Sequence, residues 1–175
     1  GAVATANTIV ANCRLGPGTA YLESGVTFKE GMKAMVDGRN QNAAGLWFWI
    51  QIENVAFHCW IHGSVADLNV EVSSIPYIPA NVPTNGSVPP PSGVKATRSG
   101  SQVTVSWNAA PSSVDLGYLL ELGICTNGLL YNTAFSTKAT AFNVTDDENC
   151  GGNSFGTLRT SNKLGYSTAV NISWP

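Results

Sequence analysis

Residues 102–107, Gln102-Val103-Thr104-Val105-Ser106-Trp107, alternate polar and apolar side chains with a period of two. That period is typical of a β-strand with one buried face. The alternation recurs in residues 168–174, and Asn127-Gly128 between short apolar runs predicts a tight hairpin. Apolar residues at helical spacing never persist for three turns, so we predict an all-β protein.

Charged residues are scarce in this chain. Only 11% of its 175 residues are Asp, Glu, Lys or Arg, against about 25% in average soluble domains. A net charge of −2 provides no basic surface for nucleic acid. The sequence contains no run of about 18 apolar residues, so we do not predict a membrane-spanning segment. A surface of Ser, Thr, Asn and Gly is easily desolvated, which favours association with other protein or with glycan.

Prolines divide the chain into two parts. Six of the nine prolines lie in residues 76–91. Because proline lacks an N–H group and favours extended polyproline geometry, this stretch predicts a semi-rigid spacer. We expect a first domain over residues 1–76, a Pro-rich linker over residues 77–91 and a second domain over residues 92–175.

Four cysteines allow three disulfide pairings, and their spacing alone does not choose among them. The pairs Cys13–Cys59 and Cys125–Cys150 are the ones compatible with two separate domains, because each half holds two cysteines. Disulfides persist in oxidising compartments, so we expect a secreted protein at the cell surface. The small residues after Gly1 also fit a mature end left by removal of a signal peptide.

The first half of the chain opens with Asn12-Cys13-Arg14-Leu15-Gly16-Pro17-Gly18-Thr19-Ala20-Tyr21. With the motifs at residues 26–31, 46–50 and 59–61, this stretch resembles bacterial Src homology 3-like domains over about residues 5–70. The resemblance implies a small β-barrel, and members of this family commonly bind cell-wall peptidoglycan or peptides. Because cysteines replace the family's usual Val and Gly at positions 13 and 59, it also implies a disulfide between the first and last strands.

Four aromatic residues of the first domain are candidate ligand or interface residues. In residues 46–53 the aliphatic side chains and a phenylalanine share one strand face, whereas Trp47 and Trp49 share the other. The aliphatic face predicts core, so both indoles are expected to point outward as a contact patch, joined by Tyr21 and Trp60. The alternative is that the linker or the second domain covers the two indoles.

The second half contains Val103-Thr104-Val105-Ser106-Trp107, then Gly117-Tyr118-Leu119-Leu120, and an Asn-x-x-Gly-Tyr-Ser turn within residues 158–167. In this order the motifs resemble a fibronectin type III domain over residues 92–175. The resemblance implies a β-sandwich that serves as a spacer or binding scaffold, with Trp107 in its core. The family's corner tyrosine is replaced by Phe155-Gly156, which removes a hydrogen bond from its hydroxyl to the backbone. The disulfide Cys125–Cys150 is expected to hold this region instead.

Catalytic and metal sites are not predicted. His58 and His62 lie on one strand face, but a zinc site needs further ligands, and Cys59 is better used in a disulfide. The acidic run at residues 146–148 is a calcium candidate, although such loops are more often simply solvated. No nucleophile with a base is visible, so we expect a non-enzymatic protein without cofactors. Three asparagines stand in glycan-acceptor contexts: Asn85, Asn143 and Asn171.

The N-terminal segment is the candidate assembly strand. Residues 3–10 are β-prone and uncharged, so Val3, Thr5, Asn7 and Ile9 are expected to add to the sheet of an adjacent subunit. The alternative is that the segment is the first strand of its own domain. We therefore expect a self-assembling structural or adhesive subunit whose partners are copies of itself. The alternative function is a monomeric module that binds peptidoglycan or surface glycan.

Overall fold

The computed structural model describes residues 1–111 and 117–175, which form β-strands and two short 3₁₀ turns. The all-β class predicted from the sequence is confirmed. The contacts divide the chain into two units, Gly1–Val82 and Pro83–Pro175, and each unit has its own apolar core. In the described part of the chain, no helix is long and apolar enough to span a membrane.

The first unit is built from one antiparallel sheet. Its strands are β1 (Val3–Ala6), β2 (Val10–Arg14), β3 (Glu23–Lys29), β4 (Lys33–Asn42), β5 (Gly45–Ile52), β6 (Cys59–His62) and β7 (Ala66–Leu68). Neighbouring strands follow the order β3-β2-β6-β5-β4-β1-β7. The edges of this sheet are therefore β3 and the short β7, whereas β1 lies inside it.

Side chains from all seven strands meet in the core of the first unit. Because every strand directs one face to the same core, the sheet curves around it. Phe48, Ile50 and Ile52 of β5 are buried there, as the alternation along this strand predicts. The predicted disulfide Cys13–Cys59 is confirmed and joins β2 to β6. Closing a loop of this size stabilises a fold by about 4 kcal/mol.

The second unit is a sandwich of two antiparallel sheets. Its strands are β8 (Ser92–Ser99), β9 (Gln102–Asn108), β10 (Gly117–Thr126), β11 (Leu129–Thr137), β12 (Ala141–Thr145), β13 (Phe155–Asn162), β14 (Gly165–Tyr166) and β15 (Val170–Asn171). One sheet has the order β12-β9-β8 and the other β11-β10-β13-β14, with β15 also paired to β13. Trp107 and Val105 of the first sheet meet Leu120 and Leu158 of the second in one core.

The hairpin predicted at Asn127-Gly128 joins β10 to β11. Both turn residues have positive φ angles, 51° at Asn127 and 81° at Gly128, as a type I′ turn requires. The ladder that follows runs without a register shift from Thr126–Leu129 to Tyr118–Thr137. The second predicted disulfide, Cys125–Cys150, is also confirmed and attaches the end of β10 to the loop before β13.

The Pro-rich linker predicted at residues 77–91 is not a free spacer. Its beginning belongs to the first unit, where residues 75–80, here called the strap, lie along β4. The Arg39 N–H donates to the Pro76 carbonyl at 2.9 Å, and the Ile78 N–H donates to the Arg39 carbonyl at 2.9 Å. These bonds satisfy strap groups that a solvated polyproline spacer would leave to water.

The end of the predicted linker belongs to the second unit. The Asn85 N–H donates to the Tyr166 carbonyl at 2.8 Å, and the Thr160 hydroxyl donates to the Pro89 carbonyl. Val88 is buried between these contacts. Residues 81–83 separate the last strap contact from the first contact of the second unit.

Candidate functional site

Trp47, predicted to point outward as part of a ligand patch, is buried. Only 3% of its surface is exposed. Its indole N–H donates to the Ala44 carbonyl at 3.2 Å, and its ring meets His62 edge-on, with the centroids 5.3 Å apart. The expectation that this indole is exposed was therefore wrong, because the outer face of β5 does not face solvent at this position.

Trp60 and Tyr21 are also buried, with 1% and 5% of their surfaces exposed. The Trp60 indole N–H donates to the Ala80 carbonyl of the strap at 3.1 Å. The Tyr21 ring covers Gly16 so closely that a Cβ atom there would lie 2.2 Å from it. Neither ring is available as the ligand-contacting side chain that the sequence predicted.

The strap lies on the outer face of β4. A register shift between Val36 and Gly38 places Gly38 opposite Trp49, and Ile78 of the strap lies on this glycine. A Cβ atom at position 38 would be 2.4 Å from the Ile78 side chain, and the Asn40 amide donates to the Ile78 carbonyl at 2.8 Å. The beginning of the linker therefore covers Gly38 and reaches Trp60, and coverage by the linker was the stated alternative to an exposed patch.

Trp49 is the partly exposed member of the four predicted aromatic residues. Its ring stacks on His58 with centroids 3.9 Å apart, and it also neighbours Trp60 at 6.5 Å. His58 Nε2 lies 2.7 Å from an Asp37 carboxylate oxygen. One indole face is thus occupied by a histidine that a carboxylate holds in place.

Both histidines of the first unit are engaged in local contacts. His62 Nδ1 lies 2.7 Å from the Ser64 hydroxyl. A shallow groove of about 390 Å³ beside Met35 contains Lys33 and Glu53 as its ionisable residues. Across the described residues, no group of three or more His, Cys, Asp or Glu side chains is placed to hold a metal ion.

The acidic run at residues 146–148 begins with a fully buried carboxylate, Asp146. One of its oxygens accepts from the Cys125 N–H at 2.7 Å and the Ser154 hydroxyl at 2.6 Å. The other accepts from the Trp174 indole at 2.9 Å and from Arg98 at 2.5 Å. Burial alone would raise the pKa of Asp146, but these hydrogen bonds together hold its pKa below the ordinary value.

The same loop fixes the turn at the start of β11. Asp147 accepts a hydrogen bond from the Asn127 N–H at 2.8 Å, and Asn149 accepts one from the Gly128 N–H at 3.1 Å. Four protein donors occupy the Asp146 oxygens, so this residue is unsuited to the calcium role considered from the sequence. The arrangement anchors the β10–β11 hairpin.

The N-terminal strand predicted to join an adjacent subunit is occupied on both sides. β1 pairs with β4, where Val3 lies opposite Met35, and with β7, where Thr5 lies opposite Asp67. Asn7 follows the strand, and its side-chain amide donates to the same Asp67 at 2.9 Å. Ile9 is 82% exposed but lies in the turn before β2. The predicted assembly role of β1 is therefore wrong, because its strand edges are already paired.

β11, which was not among the predicted site residues, is an open edge. It is nine residues long, pairs only with β10 among the described strands, and contains no charged residue, proline or glycine. Leu129, Leu130 and Tyr131 at its start are exposed. The available signal was an uncharged nine-residue run directly after an Asn-Gly turn.

An exposed phenylalanine extends this apolar edge across the sheet. Phe155 of β13 lies opposite Gly123 of β10, and Gly123 lies opposite Asn132 of β11. A Cβ atom at position 123 would be 2.3 Å from the Phe155 ring, so the glycine lets this ring lie across β10. The exposed apolar surface thus continues from β13 towards β11.

Comparison with known proteins adds little information on this chain. No protein-family model and no curated protein matches the chain. A solved structure described as a Fn3-like protein from Clostridium thermocellum is similar to 51% of this chain and to 96% of its own, at 19% identity and a TM-score of 0.34. At this TM-score the similarity does not bear on function.

Proposed function

We propose that this chain is an extracellular, non-enzymatic structural or adhesive protein that assembles with copies of itself. The observation that carries the proposal is the combination of a surface poor in charge with exposed large apolar side chains. These include Ile9, Met35, Phe57, Leu129, Leu130, Tyr131, Phe155 and Leu164. Such surfaces favour protein–protein contact.

The two disulfides support the extracellular part of the proposal, since disulfides persist in oxidising compartments. The resemblance to Src homology 3-like and fibronectin type III domains supports a binding or spacer role.

The alternative of a monomeric module for peptidoglycan or surface glycan has less support. It depended on an exposed set of aromatic rings, and Tyr21, Trp47 and Trp60 are buried. Trp49 remains partly exposed, but His58 stacks on one face of its ring. A flat sugar-binding platform requires an open ring face.

The test is the size of the natively isolated protein, measured by light scattering and negative-stain imaging without added ligand. The proposal predicts filaments or large regular particles. A monomer of 18.4 kDa at all concentrations would contradict it, and peptidoglycan and glycan pull-downs would then test the alternative.

A further inference from the structure

The geometry points to β11 as the edge through which two copies of this chain pair, antiparallel and across a two-fold axis. This inference rests on the proposed function and deepens it by naming the surface and its symmetry. The partner is a second copy of this chain, and the contact extends one sheet of the sandwich from one copy into the other.

The other sheet edges carry features that oppose pairing. Natural sheets protect their edges with short strands, bulges and charged side chains. β3 has Glu23 and Lys29 with a register shift, and β8 has Lys95 and Arg98 with another. β7 is three residues long and β12 is five. Among the described edges, β11 alone is long, regular and uncharged.

The free backbone groups of β11 form a regular row. The type I′ turn pairs Leu129 with Thr126 by hydrogen bonds, and bonded pairs then alternate along an antiparallel ladder. Counted from the turn, the N–H and C=O groups of every second residue point away from β10. These residues are Leu130, Asn132, Ala134 and Ser136.

One antiparallel register uses this whole row. If the two-fold axis passes through Thr133, then Leu130 pairs with Ser136 of the other copy and Asn132 pairs with Ala134. All four residues have N–H and C=O groups that point away from β10, so both pairs can form the hydrogen bonds of an antiparallel ladder. Tyr131 then lies opposite Phe135 of the second copy in a non-bonded pair, where side chains approach most closely.

The charges at the ends of β11 agree with this register. Lys138 follows the strand directly, and in the paired state it lies level with Gly128 of the second copy. That turn is held by Asp147, and exposed Glu148 is its neighbour. Each end of the contact therefore places a cation near an acidic loop, and the two-fold axis repeats this pairing.

A second copy fits this edge better than an unrelated strand for a further reason. Two-fold pairing brings the same strand to both sides, so a charge near the axis would lie close to the same charge of the second copy. An uncharged strand avoids that repulsion. At about 3.4 Å per residue the edge is about 30 Å long, and the exposed side chains Leu130 and Tyr131 of the same strand enlarge the contact.

The register is tested by a cysteine on the axis. In a non-bonded pair the Cα atoms are about 4.5 Å apart, which a disulfide spans. We expect Thr133→Cys to form a disulfide-linked dimer on mild oxidation, whereas Asn132→Cys, one residue away, should not. A Thr133→Cys protein that keeps its native circular dichroism but remains monomeric would overturn this register.

The surface is tested by a charge on the edge. Asn132→Lys adds a cation to β11, and Thr97→Lys adds the same charge at an exposed position of β8 as the matched control. By light scattering and sedimentation, Asn132→Lys should weaken self-association by at least about tenfold, and Thr97→Lys should leave it unchanged. Unchanged association in Asn132→Lys would refute pairing through β11 and leave the proposed function standing.

The end charges provide a third test. Lys138→Glu and Glu148→Lys should each weaken association by roughly fivefold, and the double variant should restore it. A double variant no stronger than either single variant would contradict the register.

The results also separate this inference from the proposed function. A wild-type dimer that forms no larger particle would support β11 pairing and contradict the role as a subunit of larger assemblies. A wild-type monomer at high concentration would overturn both.

Discussion

Strands β1 and β11 are both uncharged and β-prone, yet they stand in opposite situations. β1 has a neighbour on each side, and Ala4 and Ala6 point into the core. β11 has one neighbour, and its first three residues are exposed apolar side chains. A strand is therefore available for assembly only where one of its edges remains unpaired, and strand propensity does not reveal which edges those are.

The largest effect should come from proline in the interior strand. Thr5→Pro removes a ladder N–H from β1, which pairs on both sides, and should destabilise the first unit by more than about 3 kcal/mol. Thermal unfolding followed by circular dichroism measures this loss, with Thr5→Val as the control. A stability close to wild type would contradict the interior position of β1.

A comparably large effect is expected at the anchor of the β10–β11 hairpin. Asp146→Asn removes the charge that pairs with Arg98 and should lower the stability of the second unit by about 3 kcal/mol. Denaturant unfolding measures it. Glu121→Gln, which breaks the more exposed pair with Arg159, should cost about 1 kcal/mol. Equal losses at the two sites would mean that Asp146 is not the anchor.

The same carboxylate predicts a pH dependence. The pKa of Asp146 is lower in the folded protein than its ordinary value of 3.8. Its contribution to the free energy of unfolding is therefore fully present above pH 3.8. It is lost as the pH falls through 3.8 towards the lower folded pKa. Asp146→Asn should be less sensitive to pH than wild type in this window, as measured by unfolding at a series of pH values. Parallel curves would count against this account.

A smaller change in stability is expected from proline on the open edge. The Ala134 N–H points away from β10, so Ala134→Pro should destabilise the second unit by only about 1 kcal/mol while abolishing the pairing of two copies through β11. Thermal unfolding and light scattering separate the two effects, with Ala134→Ser as the control. A loss as large as that of Thr5→Pro would show that this residue bonds to β10.

The smallest effect should come from the most exposed residue of the predicted assembly segment. Ile9→Ser removes an apolar side chain that is 82% exposed, so stability should change by less than about 0.5 kcal/mol. Self-association measured by light scattering should also be unchanged. Weaker assembly of this variant would show that the N-terminal segment contributes to the interface.

Local patterns in the sequence were sufficient for much of the fold. The alternation around Val103 and Val105 predicted β9, the pair Asn127-Gly128 predicted the hairpin turn, and the two-domain division predicted both disulfides. Each of these features depends on side chains close in sequence or on a simple count. Such features are visible without knowledge of tertiary contacts.

The predicted site failed where the answer depended on distant parts of the chain. Alternation along β5 correctly put Phe48 in the core, but it could not reveal that Trp47 is buried or that the strap accepts a hydrogen bond from the buried Trp60. Gly38, which makes room for Ile78, looks in sequence like any other glycine. The pairing of β1 on both sides likewise depends on β7, whose residues lie 60 to 64 positions from their β1 partners in the chain.

The most direct test of the contrast between β1 and β11 is amide hydrogen exchange measured as a function of protein concentration. We expect the β1 amides to be protected at every concentration. The outward amides of Leu130, Asn132, Ala134 and Ser136 should become at least about tenfold more protected as concentration rises. Outward amides that exchange at the same rate in dilute and concentrated protein, while the particles grow, would contradict this expectation.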